Sequence, residues 1–149
     1  MLRSAIAALA AAVLSLAWLS APSSAQAASP EWDCAKEFWQ NDGDSGGSSG
    51  NVNIYLSGAT DHEAIATFKA AGETVSLNNA WGSGARASAA LYRTTTNGNI
   101  RVSRYLTANG GSSDFEDLSL GEGLKVFVEL KMSDSTGQWA TCRSSVFTS

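Results

Sequence analysis

The stretch Leu124-Lys125-Val126-Phe127-Val128-Glu129-Leu130-Lys131 decides the fold class of this chain. Leu124, Val126, Val128 and Leu130 alternate with Lys125, Phe127, Glu129 and Lys131. A period of two puts the first set on one face of a strand and the second on the other. Ser133 to Gly137 then reads as a turn, and Gln138 to Phe147 returns as a closing strand carrying Cys142. On the upstream side Phe115, Leu118 and Leu120 lead into Gly121-Glu122-Gly123.

Further upstream, Ala85 to Thr96 and Asn99 to Ala108 flank Asn97-Gly98, the preferred pair for a two-residue hairpin turn. That register sets Thr96 opposite Asn99, Tyr92 opposite Ser103 and Ala90 opposite Tyr105. One face then collects Ala87, Ala89, Leu91, Ile100, Val102 and Leu106 as a core set. The other collects Arg86, Tyr92, Arg101 and Tyr105, where guanidinium groups beside phenol rings can stack on sugars or clamp acidic groups. The same register turns Arg93 and Arg104 coreward, so each must lie at a sheet end or snorkel, and a bulge would change the assignment.

Val52, Ile54 and Leu56 share one face of an earlier strand. In Glu63 to Ala70 the residues Ala64, Ala66 and Phe68 face one way, with Ile65 and Thr67 opposite. The alanines also allow a short helix near Asp61 to Ala71, but the alternation favours a strand. Gly72-Glu73 turns the chain into Thr74-Val75-Ser76-Leu77, and a loop from Asn78 to Gly84 carries Trp81. Asn41 to Gly50 is a loop by composition, while Trp32, Phe38 and Trp39 form an apolar cluster around Cys34 that should dock on the core. Without a clear amphipathic helix or internal repeat, these elements predict an all-β antiparallel sandwich of about 6–7 strands, with a barrel as the alternative.

Residues 1–27 read as a signal peptide. Arg3 supplies the basic end, an apolar run extends from Ala5 to Leu19, and Ala25-Gln26-Ala27 fits the small-x-small cleavage rule. Residues 28–149 would form a single secreted domain of roughly 120 residues, enough for a real core, with no membrane span after cleavage. The chain has 10 basic and 14 acidic residues, so losing Arg3 leaves 9 against 14, a net charge of −5. With no run of Lys or Arg, this balance argues against nucleic acid as a partner. Cys34 and Cys142 are the only cysteines, and in an oxidising setting they can form one intramolecular bridge.

No catalytic constellation emerges. His62 is the only histidine, and adjacent residues on an extended strand point to opposite faces, so Asp61 and Glu63 cannot both orient it as a catalytic base. No nucleophile-elbow motif is present. Glu116 and Asp117 are sequence neighbours, which rarely span a substrate cleft as glycosidase carboxylates must. Asp42, Asp44 and Gly47 have a faint likeness to a calcium loop, but the twelfth position is Asn53 rather than Glu. Neither a metal nor another cofactor is expected. Trp81, between Asn79 and Gly82-Ser83-Gly84, sits where an aromatic ring can be offered for recognition. Trp139, after a turn, is expected to pack near the disulfide.

Ala66-Thr67-Phe68, Gly72-Glu73-Thr74-Val75, Gly84-Ala85-Arg86-Ala87, Leu120-Gly121-Glu122-Gly123 and the late Cys142 resemble small secreted β-rich proteins of actinobacteria without an assigned activity. The resemblance implies an exported β domain and brings no catalytic residues with it. The expected function is a non-enzymatic extracellular module that binds a polysaccharide, an envelope component or a protein. Tyr92, Tyr105, Arg86 and Arg101 would make the contacts, with Trp81 at the rim. The alternative is a secreted protease inhibitor, although such inhibitors present a rigid loop braced by a nearby disulfide.

Overall fold

The computed structural model describes residues 32–40, 46–57, 63–82 and 84–149. The signal peptide, His62, Asp61 and the Asp42–Asp44 loop lie outside the described residues. What is described is all β, with eleven strands rather than six or seven. They are β1 (Trp32–Gln40), β2 (Ser48–Leu56), β3 (Glu63–Lys69), β4 (Thr74–Asn79), β5 (Arg86–Thr95), β6 (Gly98–Arg101), β7 (Leu106–Asn109), β8 (Ser112–Asp117), β9 (Lys125–Ser133), β10 (Trp139–Arg143) and β11 (Phe147–Thr148). Sheet A has the order β1-β2-β3-β4-β8 and sheet B the order β10-β9-β5-β6, with β7 also on β5 and β11 also on β9. All pairings are antiparallel, and the two open sheets pack face to face as a sandwich rather than closing into a barrel.

The alternating residues fill the layer between the sheets. Val126, Val128, Leu130 and Met132 of β9 are fully buried, and they meet Val52 and Ile54 of β2, Ala64, Ala66 and Phe68 of β3, and Val75 and Leu77 of β4 in one core. The small residues Ala87 and Ala89 of β5 allow close approach beside Leu91 and Leu106. Burial of side chains of this size is the main stabilising term. Residues 63–69 are a strand with the expected inward face, as the alternation favours. Strand β2 begins earlier than expected, since Ser48, Ser49 and Gly50 belong to it and are buried. Gly50 is required there because a Cβ would overlap the Phe147 ring and the Glu37 carbonyl oxygen. The apolar cluster around Cys34 is strand β1, and its Phe38 is 51% exposed rather than docked in the core.

Cys34 of β1 and Cys142 of β10 form the expected disulfide, with Cα atoms 6.0 Å apart across 108 residues. It joins one edge of sheet A to one edge of sheet B. At another border the chain changes sheets through Gly110-Gly111: the Gly110 amide donates to the Ala85 carbonyl beside sheet B, and the Gly111 amide to the Asn79 carbonyl of sheet A. Buried Asn79 ties the layers together there, its Nδ2 donating to the Ala108 carbonyl at 3.1 Å.

The hairpin differs from the sequence expectation in register. Thr95 pairs with Gly98, and Tyr92 faces Arg101 rather than Ser103. Thr96 and Asn97 keep negative φ, while Gly98 takes φ of 121°. The glycine therefore serves the positive-φ position after the turn instead of its second corner. Beyond Arg101 the strand bulges. The Leu91 carbonyl accepts the amides of both Val102 (2.9 Å) and Ser103 (3.5 Å), and the Leu91 amide donates to Ser103 Oγ at 2.8 Å. Pairing then resumes with Leu106 opposite Ala89, the register the sequence predicted for that half.

One expectation falls with this shift: Ile100 is 57% exposed rather than core. Arg93 keeps coreward parity opposite Val126 and is exposed at the end of its strand, and Arg104 is exposed as well, as the need for a sheet end or a snorkelling side chain requires. At the border between the sheets Arg104 clasps Asp114 of β8 through both guanidinium NH2 groups. On the opposite edge of sheet B the closing strand breaks in the same way. The Ser144 amide donates to the Val128 carbonyl and Ser144 Oγ accepts the Val128 amide, both at 2.9 Å. Leu91 and Val128 are cross-strand partners, so one row carries a serine hydroxyl in place of a ladder carbonyl at each end.

A candidate binding face on the outside of sheet B

Residues of β9 that point away from the core, Lys125, Phe127, Glu129 and Lys131, share the outer surface of sheet B with Arg86, Ser88, Ala90 and Tyr92 of β5 and with Trp139, Thr141 and Arg143 of β10. Four cross-strand rows define it. Arg101, Tyr92 and Phe127 form one, Ala90, Glu129 and Arg143 a second, Thr107, Ser88, Lys131 and Thr141 a third, and Asn109, Arg86, Ser133 and Trp139 a fourth. Tyr92 lies six steps along β5 from Arg86, a span of about 20 Å on an extended strand.

The Tyr92 end is a stack. Phe127 is only 7% exposed although it faces outward, because the Tyr92 ring lies parallel to it at 5.4 Å and the Arg143 guanidinium sits 5.5 Å from its centre. Above them the Arg101 guanidinium lies 4.1 Å from the centre of the Tyr105 ring, which is 50% exposed. The two phenol oxygens are 3.4 Å apart. That hydrogen bond to Tyr105, followed by burial, pushes the Tyr92 phenol up to about 12. The Tyr105 phenol moves the other way, lowered by the hydrogen bond from Tyr92 and then by Arg101. Burial pushes the Glu129 carboxyl up, but hydrogen bonds from Arg143 and Lys131 outweigh it and hold the group below the ordinary carboxylate range. Arg143 and Lys131 reach Glu129 at 2.8 and 3.1 Å.

At the other end, Arg86, Ser88, Thr107, Asn109 and Trp139 line a shallow groove of about 380 Å³. Trp139 is 67% exposed, which corrects the expectation that it packs near the disulfide. The parity of β10 explains this. Cys142 must face inward to reach Cys34, so Trp139, three residues earlier, faces outward. The same count along the sequence would have found it.

The structure thus brings Tyr92, Arg101 and Tyr105 together and places Arg86 at the far end of the same face. Trp81 is not part of it. It lies in the loop between β4 and β5, half-buried against the core and stacked on Trp32 with ring centres 5.0 Å apart. Among the described residues, no three His, Cys, Asp or Glu side chains converge as a metal site would need, and Glu116 accepts the Arg104 amide rather than facing Asp117 across a cleft. No helix among the described residues is long and apolar enough to cross a membrane. The fold and site define a disulfide-linked two-sheet β-sandwich with an aromatic, arginine-bearing outer face. Comparison with family models, curated proteins and solved structures finds no match.

Proposed function

We propose that this protein is a secreted, non-enzymatic module that binds a polysaccharide of the cell envelope or its surroundings through the outer face of sheet B. The observation that carries the reading is an exposed aromatic ring near a guanidinium at each end of one face: Arg101 lies over Tyr105, and Arg86 lines the same groove as Trp139. An aromatic ring offers an apolar plane with little conformational entropy to lose, and an adjacent guanidinium offers directed hydrogen bonds. The disulfide, which persists in oxidising compartments, supports export. It joins two strands instead of bracing an exposed loop, and so lends nothing to the inhibitor alternative.

Co-sedimentation of the oxidised protein with washed envelope material and insoluble polysaccharides tests the reading. Pelleting that soluble sugar polymer reverses is the expected result. Full recovery in the supernatant from every polymer would refute it.

A further inference from the structure

Charge is divided between the two sheets. The strands of sheet B carry six basic residues, Arg86, Arg93, Arg101, Lys125, Lys131 and Arg143, and one acidic residue, Glu129. Those of sheet A carry six acidic residues and only Lys36 and Lys69 as bases. All of the sheet B bases but Arg93 face outward, so a chain of net charge −4 keeps one positive surface, with five basic residues against Glu129. Glu129 is already saturated by Arg143 and Lys131. Neither Arg86 nor Arg101 has an ion-pair partner among the described residues, and both are exposed.

From this we infer that the ligand of the sheet B face is a polysaccharide of uronic acids, whose sugar rings lie on Tyr105 and Trp139 and whose carboxylates are held by Arg101 and Arg86. The inference rests on the binding role proposed above and narrows its ligand to an anionic class. A guanidinium matches a carboxylate with two parallel hydrogen bonds, and the positive field of the face raises the local concentration of a polyanion. The aromatic residues decide between anionic polymers. A chain of phosphates has charge without a ring to stack, and a neutral glycan has rings without charge, whereas a uronate supplies both in one unit. A second copy of this chain fits less well. The acidic residues of the outer surface of sheet A, Asp33, Glu37, Glu63 and Asp117, lie around its border, while its centre is Asn53, Thr67, Ser76 and Asn78.

The test is equilibrium binding of the purified, oxidised protein to polygalacturonate, alginate and hyaluronate, alongside carboxyl-reduced polygalacturonate and inorganic polyphosphate. At least one uronate polymer should bind and weaken by about tenfold or more on carboxyl reduction, as loss of a charged hydrogen bond implies. Raising salt from about 0.05 to about 0.5 M should weaken it further by screening. R86Q and R101Q should each reduce uronate binding several-fold without moving the melting curve, W139A likewise, and F115A on sheet A should leave binding intact.

Equal binding of the carboxyl-reduced polymer would overturn the uronate assignment and leave the polysaccharide reading standing. Equal binding of polyphosphate would reduce the face to an ion exchanger. Salt-reversible self-association in sedimentation velocity, without uronate binding, would give the face to a second copy. Binding of none of the polymers, together with no pelleting on envelope material, would remove both readings.

Discussion

The outer surfaces of sheets A and B arise from the same alternation of residues and have opposite characters. On sheet A the row Glu37, Asn51, Thr67, Ser76 and Phe115 crosses all five strands. Short polar side chains dominate, and Phe115 at the edge is 61% exposed. On sheet B the outward Phe127 is nearly as buried as a core residue because the Tyr92 ring stacks on it and the Arg143 guanidinium sits over it. An outward position is therefore not the same as an exposed one. Where outward side chains are long and planar they build a second, thinner packed layer, and only what stands above that layer is free to meet a ligand. On sheet B this separates Tyr92, largely a packing residue, from Tyr105, Arg101, Arg86 and Trp139, which reach solvent.

The largest effect should come from uncoupling the two sheets altogether. Replacing Cys34 and Cys142 with Ser removes a link closing a loop of over 100 residues, for which chain entropy predicts a loss of up to about 4.7 kcal/mol. Urea unfolding should show a lower midpoint, still in one transition if the sandwich core couples the layers. Two separate transitions would show that sheets A and B are independent units held by the disulfide.

Phe127→Ala and Phe115→Ala set the two surfaces directly against each other. The first removes a buried ring and should cost about 3 kcal/mol. The second removes an exposed ring and should stay within about 0.5 kcal/mol. Equal costs in thermal or chemical unfolding would mean that the outer layer of sheet B contributes no packing energy.

Ser103→Ala and Ser144→Ala follow in size. Each leaves a buried amide, of Leu91 or Val128, without its hydroxyl acceptor, at about 1–3 kcal/mol. Hydrogen exchange should quicken at that amide in particular. Unchanged protection would show that another acceptor, such as water, takes over.

These two serines also mark where sequence legibility ends. The inward sets of β2, β3, β5 and β9 follow from alternation alone, since hydrophobic burial repeats every second residue. The Cys34–Cys142 bridge follows from there being no other cysteine. A bulge has no such signature. Ser103 resembles any polar strand residue, so the shift that sets Arg101 against Tyr92 is not visible in hydropathy. The edge strand β8 was missed for a related reason. Ser112 to Asp117 places no large residue in the core, and its pairing with β4 is set by backbone hydrogen bonds and by the Arg104–Asp114 clasp. Trp139, by contrast, was legible from its distance to Cys142.

That clasp gives a pH-dependent prediction at the border between the surfaces. The hydrogen bonds from Arg104 hold the Asp114 carboxyl down at about 2. Because the folded-state value is depressed, the stabilisation is fully present above the ordinary value of about 3.9 and is lost as pH falls toward about 2. Arg104→Ala should flatten the stability profile across that acid window and leave it little changed near neutrality in shape. A profile as steep as in the unsubstituted protein would assign the acid sensitivity to other carboxylates.

The smallest effect on stability is the sharpest probe of the sheet B stack. With Tyr55 replaced by Phe, only Tyr92 and Tyr105 titrate in the ultraviolet. Tyr105 should ionise first, below the ordinary phenol value of about 10, because its phenolate would accept a hydrogen bond from Tyr92 and Arg101 lies over its ring. Tyr92 should hold its proton to about 12. The raised value favours the neutral phenol in the fold, so its stabilising share is complete below pH about 10 and is lost as pH rises through about 12. Tyr105→Phe removes the largest cause of that rise and should bring Tyr92 down toward the ordinary range. Two overlapping titrations in the parent protein would mean that the phenols do not share a hydrogen bond. Tyr105 would then stand apart from the packed layer beneath it.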